Sequence, residues 1–229
     1  MRLKPLGKVR RFLLHGELQF LLRSGIVDLY QPLPWAGIEN GPRCAGTMER
    51  WAAINQELGS SSGSAMDIGC NLGYFTFQMA RRDFFCLGIE KDSLLYHLCN
   101  LTKEIYGFEQ AVFMKMMVDE SSSQKLPSAD VTLFLSVLHH VIWRSGMAAA
   151  TRLLTGILSK TRRVLFFEMG QSNETHVSWA KHLPAMSPDP EVWIEEYLLS
   201  LGATRVKLLG RFATHVSPVK RSLFAVYVN

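Results

Sequence analysis

The stretch Asp67-Ile68-Gly69-Cys70-Asn71-Leu72-Gly73-Tyr74-Phe75 places an acid and two glycines close together, a spacing that lets backbone approach a ligand closely. Its order, Asp-x-Gly-x-x-x-Gly, differs from the Gly-x-Gly-x-x-Gly turn that holds a dinucleotide pyrophosphate. A leading acid disfavours phosphate and favours a cationic ligand. Glu90 is a second acid, at the end of the next apolar run. Two adjacent histidines, His139 and His140, close the run Leu135-Ser136-Val137-Leu138-His139-His140-Val141, and His215 lies near Lys220 and Arg221. Histidine exchanges protons near neutral pH, so each is a candidate general base and each is equally a candidate structural histidine. Neighbours on an extended chain point oppositely, so His139 and His140 are not expected to share a metal or a task. Glu168, followed by Met169, Gly170 and Gln171, is either a substrate ligand or a hydrogen-bonding partner for a neighbouring turn.

These residues need a frame that brings them to one edge. From Ala65 onward short apolar runs alternate with helical segments, the pattern of a mostly parallel sheet covered by helices. Strands are expected over 65–68, 84–89, 111–118, 131–137, 163–168, 205–211 and 222–228, with helices over 74–82, 93–106, 147–158 and 190–201. In open α/β sheets ligands bind at the carboxyl ends of the strands. Asp67, Glu90, the histidine pair and Glu168 all fall there. A helix from Thr47 is expected to bury Met48, Trp51, Ala52, Ile54 and Leu58. The connection over 173–190, with Trp179 as a candidate for stacking on a sugar ring or for anchoring the loop, is placed to cover the site.

Asp67 to Gly73, with Glu90 ending the second strand, resembles the nucleoside-binding motifs of class I S-adenosylmethionine-dependent methyltransferases over residues 65–229. That resemblance implies an α/β fold: a Rossmann-like seven-stranded sheet, mostly parallel with an antiparallel last strand, and helices on both faces. S-adenosylmethionine is the implied cofactor. Asp67 and the Gly69–Gly73 turn would hold its amino-acid part, Glu90 would accept hydrogen bonds from the ribose hydroxyls, and Asp119 would lie beside the adenine. Tyr74, Phe75, Lys91 and Ser136 complete the expected cofactor set. Asn71 replaces the family's usual middle glycine, which Asn tolerates because it enters the left-handed region readily.

A narrower resemblance, carried by residues 210–221 together with 135–141 and 167–170, is to methyltransferase modules of bacterial O-antigen polysaccharide chain-terminating proteins. It implies a glycan or lipid-linked glycan acceptor, methylated on a sugar hydroxyl or a terminal phosphate, and partner enzymes of the polysaccharide pathway. A hydroxyl acceptor needs a base such as His139, His140 or His215. A phosphate oxygen needs cationic anchors, for which Lys220 and Arg221 in the last turn are candidates, with Glu168 and Trp179 as further substrate contacts. The alternatives are a methyltransferase for RNA or a small metabolite, because fold and cofactor do not fix substrate, and an inactive cofactor-binding partner of another methyltransferase.

Composition sets the outer limits. The 229 residues are 48% hydrophobic and 20% charged, with a net charge of +5, which excludes disorder and fits one globular domain with an appendage. No apolar run reaches the ~20 residues needed to span a bilayer. Cys44, Cys70, Cys86 and Cys99 form no CxxC pair and no zinc spacing, so reduced thiols and no metal are expected. No cleavable signal is apparent, and the expectation is a cytoplasmic protein, peripheral at the inner membrane. The excess charge lies in residues 1–23, where Arg2, Lys4, Lys8, Arg10, Arg11 and Arg23 face Glu17 alone. This segment predicts a basic helix over 7–24, stopped near Gly25. It can pack on the domain, lie on an anionic membrane or touch nucleic-acid phosphate; no aromatic-basic motif supports RNA, and no DNA partner is expected. A connection with Pro32, Pro34, Gly37, Gly41 and Pro42 follows, giving a division into 1–46 and a methyltransferase domain over 47–229.

Overall fold

The alternation of apolar runs and helices folds into one sheet, seen in a computed structural model that describes residues 7–39, 41 and 43–228. Arg2, Lys4 and Pro42 lie outside the described residues. Among the described residues the strands are β1 (Gly63–Ile68), β2 (Phe84–Glu90), β3 (Ala111–Lys115), β4 (Ala129–Leu135), β5 (Thr161–Glu168), β6 (Arg205–Phe212) and β7 (Arg221–Tyr227). Their order in the sheet is β3-β2-β1-β4-β5-β7-β6. Pairs among β1 to β5 are parallel, and β7 runs antiparallel to both β5 and β6. The chain winds outward from β1 to β3 and then returns to pair β4 with β1. That reversal opens a crevice beyond the carboxyl ends of β1 and β4.

Helices α1 (Lys8–Arg23), α2 (Thr47–Leu58), α3 (Tyr74–Ala80), α4 (Ser93–Tyr106), α5 (Glu120–Ser123), α6 (Leu138–Lys160) and α7 (Pro190–Ser200) pack around the sheet. One face buries Met66, Phe134, Leu165 and Phe167 under Leu154 and Ile157 of α6 and Ile194 and Leu198 of α7. The other buries Ala65, Val131 and Phe166 under Ile54 of α2 and Phe75 and Met79 of α3. Both faces of the central strands are covered, which is why they read as continuous apolar runs rather than alternating ones. Helix α1 shares a third cluster with α4, in which Leu18 and Leu22 meet Leu98, Leu101 and Ile105. Within the described residues no helix is long and apolar enough to cross a membrane.

Three local expectations change. The third strand ends at Lys115 rather than residue 118, and Asp119 instead caps α5 by accepting from the Ser122 N–H at 2.9 Å. The buried side of α2 is Thr47, Arg50, Ile54 and Leu58, with Met48 exposed and an arginine in its place. The fourth strand stops at Leu135 and a helix begins at Leu138, so the histidines stand on its first turn. That helix runs to Lys160 through an interruption at Gly146, whose φ of 80° and ψ of 168° are non-helical. A short apolar run is readable as strand or helix end, and here the helix wins.

Candidate active site

A cavity of about 1440 Å³ opens beyond the carboxyl ends of β1, β2 and β4. At one end its wall is acidic. Asp67, the penultimate residue of β1, is 3% exposed and accepts from the Thr76 hydroxyl at 2.7 Å. Burial pushes its carboxyl up to about 7, with the Glu90 charge adding to the rise and Thr76 opposing it. Glu90 ends β2; its Oε2 accepts from the Asn71 N–H at 2.9 Å, and its Oε1 accepts from the N–H groups of Lys91 and Asp92. The turn between these acids is tied to β2, since the N–H groups of Gly69 and Cys70 both donate to the Ile89 carbonyl. Gly69 takes φ of +76°, and a Cβ there would lie 2.7 Å from Val137 Cγ2. Asn71 adopts φ of 55°, the left-handed conformation anticipated for it, and its Oδ1 is a buried acceptor with no donor among the described residues. Ile89, Met116 and Val118 supply apolar wall beside Asp119, whose carboxyl is held below its ordinary range by the Ser122 N–H and the Ser122 and Ser121 hydroxyls.

The opposite end is built from two buried arginines. Arg50 Nε donates to Glu168 Oε2 at 2.6 Å, and the Ser136 hydroxyl donates to Glu168 Oε1 at 2.6 Å. Arg221 makes a two-pronged pair with Glu174, Nε to Oε1 and Nη2 to Oε2, both at 2.8 Å, while its Nη1 reaches Ser136 Oγ at 3.1 Å. Every oxygen of the two carboxylates accepts at least one bond from the protein, whereas each guanidinium carries five N–H donors, and several of them have no acceptor among the described residues. Ser136 joins the two ion pairs and stands at φ of 58°, an uncommon conformation for a residue other than glycine that marks a strained strand end. Gly46 makes room for this frame, because a Cβ there would lie 2.6 Å from Arg50 Nη1. Arg144, on the same face of α6 one turn beyond His140, also lines the cavity.

The three histidines are held neutral. His139 is buried against Trp179, ring centroids 4.3 Å apart, and its Nδ1 accepts from the Gly170 N–H at 3.0 Å. Burial, then Arg221 and His140, depress it well below the ordinary histidine range. His140 is brought down to about 4 by burial, with Arg144, Arg221 and Lys91 adding to the effect. His215 Nε2 accepts from Arg43 Nε at 2.7 Å, and burial followed by Arg43 and Arg221 lowers it. Each ring is thus a weak base in a cationic neighbourhood.

Of the expected cofactor residues, Asp67, Gly69, Asn71, Phe75, Glu90, Lys91, Asp119 and Ser136 share the cavity wall. Gly73 and Tyr74 do not. Gly73 turns the chain at φ of +80° against Phe77 and Phe113, and Tyr74 is buried against Trp35. On the acceptor side, Lys220 is exposed and away from the wall, whereas Arg221 opens β7 as a buried residue. Glu168 lines the cavity at 1% exposure, with Oε2 accepting from Arg50 and Oε1 from Ser136. Trp179 lines the cavity at 6% exposure, lying between His139 and the Arg221 guanidinium, which leaves little of its ring open. His139 and His140 are side by side, 4.2 Å between ring centroids, because a helix rather than a strand carries them. Sequence reasoning missed Arg50, Thr76, Arg144 and Glu174. A signal existed for Arg50, which recurs with Ile54 and Leu58 at helical spacing; Glu174 pairs with a residue 47 positions away and left no local trace. The described residues contain no group of three or more His, Cys, Asp or Glu that could hold a metal ion, and the four cysteines are buried and unbridged.

No family model matches the chain. It is 26% identical over 179 residues to the O-antigen chain terminator bifunctional methyltransferase/kinase WbdD of Escherichia coli, an alignment covering 78% of this chain. The chain spans about a quarter of the length of the curated relatives it matches, 24% for this protein. A crystal structure of WbdD superposes with a TM-score of 0.72 at 24% identity, covering 91% of this chain and 46% of that one. Magnesium protoporphyrin IX methyltransferase from Synechocystis PCC 6803, crystallised with bound S-adenosylmethionine, superposes with a TM-score of 0.55 at 14% identity over 80% of this chain and 77% of that one. The chain has the class I S-adenosylmethionine-dependent methyltransferase fold and, over most of its described length, resembles the O-antigen chain terminators.

Proposed function

We propose that the chain is an S-adenosylmethionine-dependent O-methyltransferase that caps a bacterial surface polysaccharide or its lipid-linked precursor, and that the accepting atom is a terminal phosphate oxygen. The acid end of the cavity fits the cofactor. A cationic ammonium or sulfonium suits the buried Asp67 carboxylate, whose elevated affinity for a proton signals an uncompensated charge. Glu90 Oε2 accepts one protein N–H and keeps a lone pair for a ribose hydroxyl. The orphaned Asn71 Oδ1 awaits a donor, and Ile89, Met116 and Val118 offer an apolar surface for an aromatic base. When bound, the cofactor supplies a methyl group made electrophilic by its sulfonium.

One observation carries the acceptor reading: three histidines kept neutral inside an arginine-bearing wall. A hydroxyl acceptor would need a base whose proton affinity matches the operating pH, and burial near positive charge works against that here. A phosphate oxygen is already nucleophilic. Arg50 and Arg221 present spare N–H donors, and Arg144 and Lys91 add charge that no partner among the described residues neutralises. Their task is orientation, and in-line alignment alone is worth ~7 kcal/mol or more. The relatives' pairing of methyltransferase with kinase supports a phosphorylated end group, here supplied by a kinase acting outside residues 7–228. On this reading the chain acts at the cytoplasmic face of the membrane.

Incubation with methyl-labelled S-adenosylmethionine and an extract lacking the protein tests this. Label is expected in the lipid-linked glycan fraction, in a bond with the alkali behaviour of a phosphate ester; label confined to RNA or small metabolites would refute the acceptor assignment and leave the cofactor assignment standing.

A further inference from the structure

Helix α1 has two apolar stripes, and the domain covers one of them. At 100° per residue, Leu14, Leu18, Leu21 and Leu22 share the side that meets α4 and Leu33. Val9, Phe12, Leu13 and Phe20 share the opposite side and are 64% to 77% exposed, with Gly16 between them. Scattered exposed apolar residues are ordinary, but four in register on one helix face, two of them phenylalanine, form a patch. Positive charge borders it. Lys8 and Arg23, beside the stripe on the helical wheel, are exposed and have no acidic partner among the described residues, whereas Arg11 lies on the side of Leu18 and Leu22, Arg10 is bonded to Glu104 and the helix's acid, Glu17, is bonded to His97. The stripe continues past the helix end: Ile26, 63% exposed, lies at the cavity rim, and Val27, Asp28, Tyr30 and Gln31 follow it in the wall.

We propose that this outer face of α1 docks on an anionic lipid surface, with the apolar stripe entering the headgroup boundary and the flanking bases paired with lipid phosphates. An apolar face rimmed by cations is the pattern of helices that lie in the plane of such an interface. A nucleic acid would leave two phenylalanines against phosphate. A second copy of the chain, packed through the same face, would bring like charges together with no free acid to offset them. Docking here would also turn the cavity rim toward the bilayer, because the segment that leaves α1 builds that rim. The inference stands apart from the acceptor proposed above, since lipid binding is read without acceptor or turnover.

Sedimentation of the full chain with phosphatidylcholine vesicles, with and without phosphatidylglycerol, tests the proposal. Binding is expected with phosphatidylglycerol and is expected to weaken as salt rises. Phe12→Ser and Phe20→Ser should each lower partitioning about tenfold or more, and Lys8→Glu with Arg23→Glu should abolish the preference for phosphatidylglycerol. S-adenosylmethionine affinity should be unaltered in all of these variants, showing an intact fold. Vesicle binding that is absent, or unchanged in both sets of variants, would overturn the proposal. So would a concentration-dependent dimer, or RNA binding, that the same substitutions abolish while vesicles are ignored.

Discussion

The two ends of the cavity solve the problem of buried charge in opposite ways. At the acid end Asp67 is buried with one hydroxyl for company, and its carboxyl is pushed up to about 7. At the basic end Arg50 and Arg221 are equally buried, yet each is matched by a carboxylate and held by several hydrogen bonds. An unmatched charge calls for a ligand of opposite sign, whereas a matched pair with spare donors forms a fixed frame. On the function proposed above, the first end is completed by the cationic cofactor and the second orients the anionic acceptor without moving.

The largest effect should come from breaking the frame. Arg221→Met leaves Glu174 buried without its partner, and removal of one member of such a pair costs about 3–5 kcal/mol; chemical denaturation should show it. Arg144→Ala, by contrast, touches no ion pair and should leave the denaturation midpoint in place. A smaller loss is expected at the acid end. Asp67→Asn keeps an acceptor for Thr76 but removes the charge, and should weaken S-adenosylmethionine binding about 100-fold by calorimetry, while the cofactor-free protein becomes no less stable because a buried acid has gone.

The pH dependence sharpens the same contrast. The folded Asp67 carboxyl titrates near 7 against an ordinary 3.8, so between those values the folded chain holds a proton that the unfolded chain releases. Cofactor-free stability should accordingly fall as pH rises across that window. Cofactor binding should move the other way, strengthening about fivefold from pH 6 to 7 and about twofold more by pH 8, where it levels, with the slope absent in Asp67→Asn. The smallest effect is expected at His140. Held near 4, it is a weak proton acceptor at neutral pH, so His140→Asn should alter the rate only a few-fold, where loss of a general base would cost about 100-fold or more.

The sequence made the acid end legible and the basic end largely not, for a physical reason. Asp67, Gly69, Asn71 and Glu90 stand within one turn and the strand beside it, so their spacing records their geometry. Helix α4 was legible at both ends because Asp92 caps it and Gly107 stops it at φ of +74°. Glu168 and Arg50 are 118 positions apart, and their pairing depends on how α2 lies over the sheet, which no local pattern encodes. The same holds for Ser136, whose left-handed backbone depends on Glu168 and Arg221 arriving from two other strands. Lys220 and Arg221 were equal candidates in the sequence; strand register made one a buried anchor and the other a solvated neighbour.

The most direct test of the account is methyl transfer to one purified glycan acceptor before and after its terminal phosphate is removed by a phosphatase. An anion-orienting end predicts transfer to the phosphorylated glycan and loss of transfer after phosphatase treatment. Equal or greater transfer to the dephosphorylated glycan would contradict it, and would return the three histidines to candidacy as general bases.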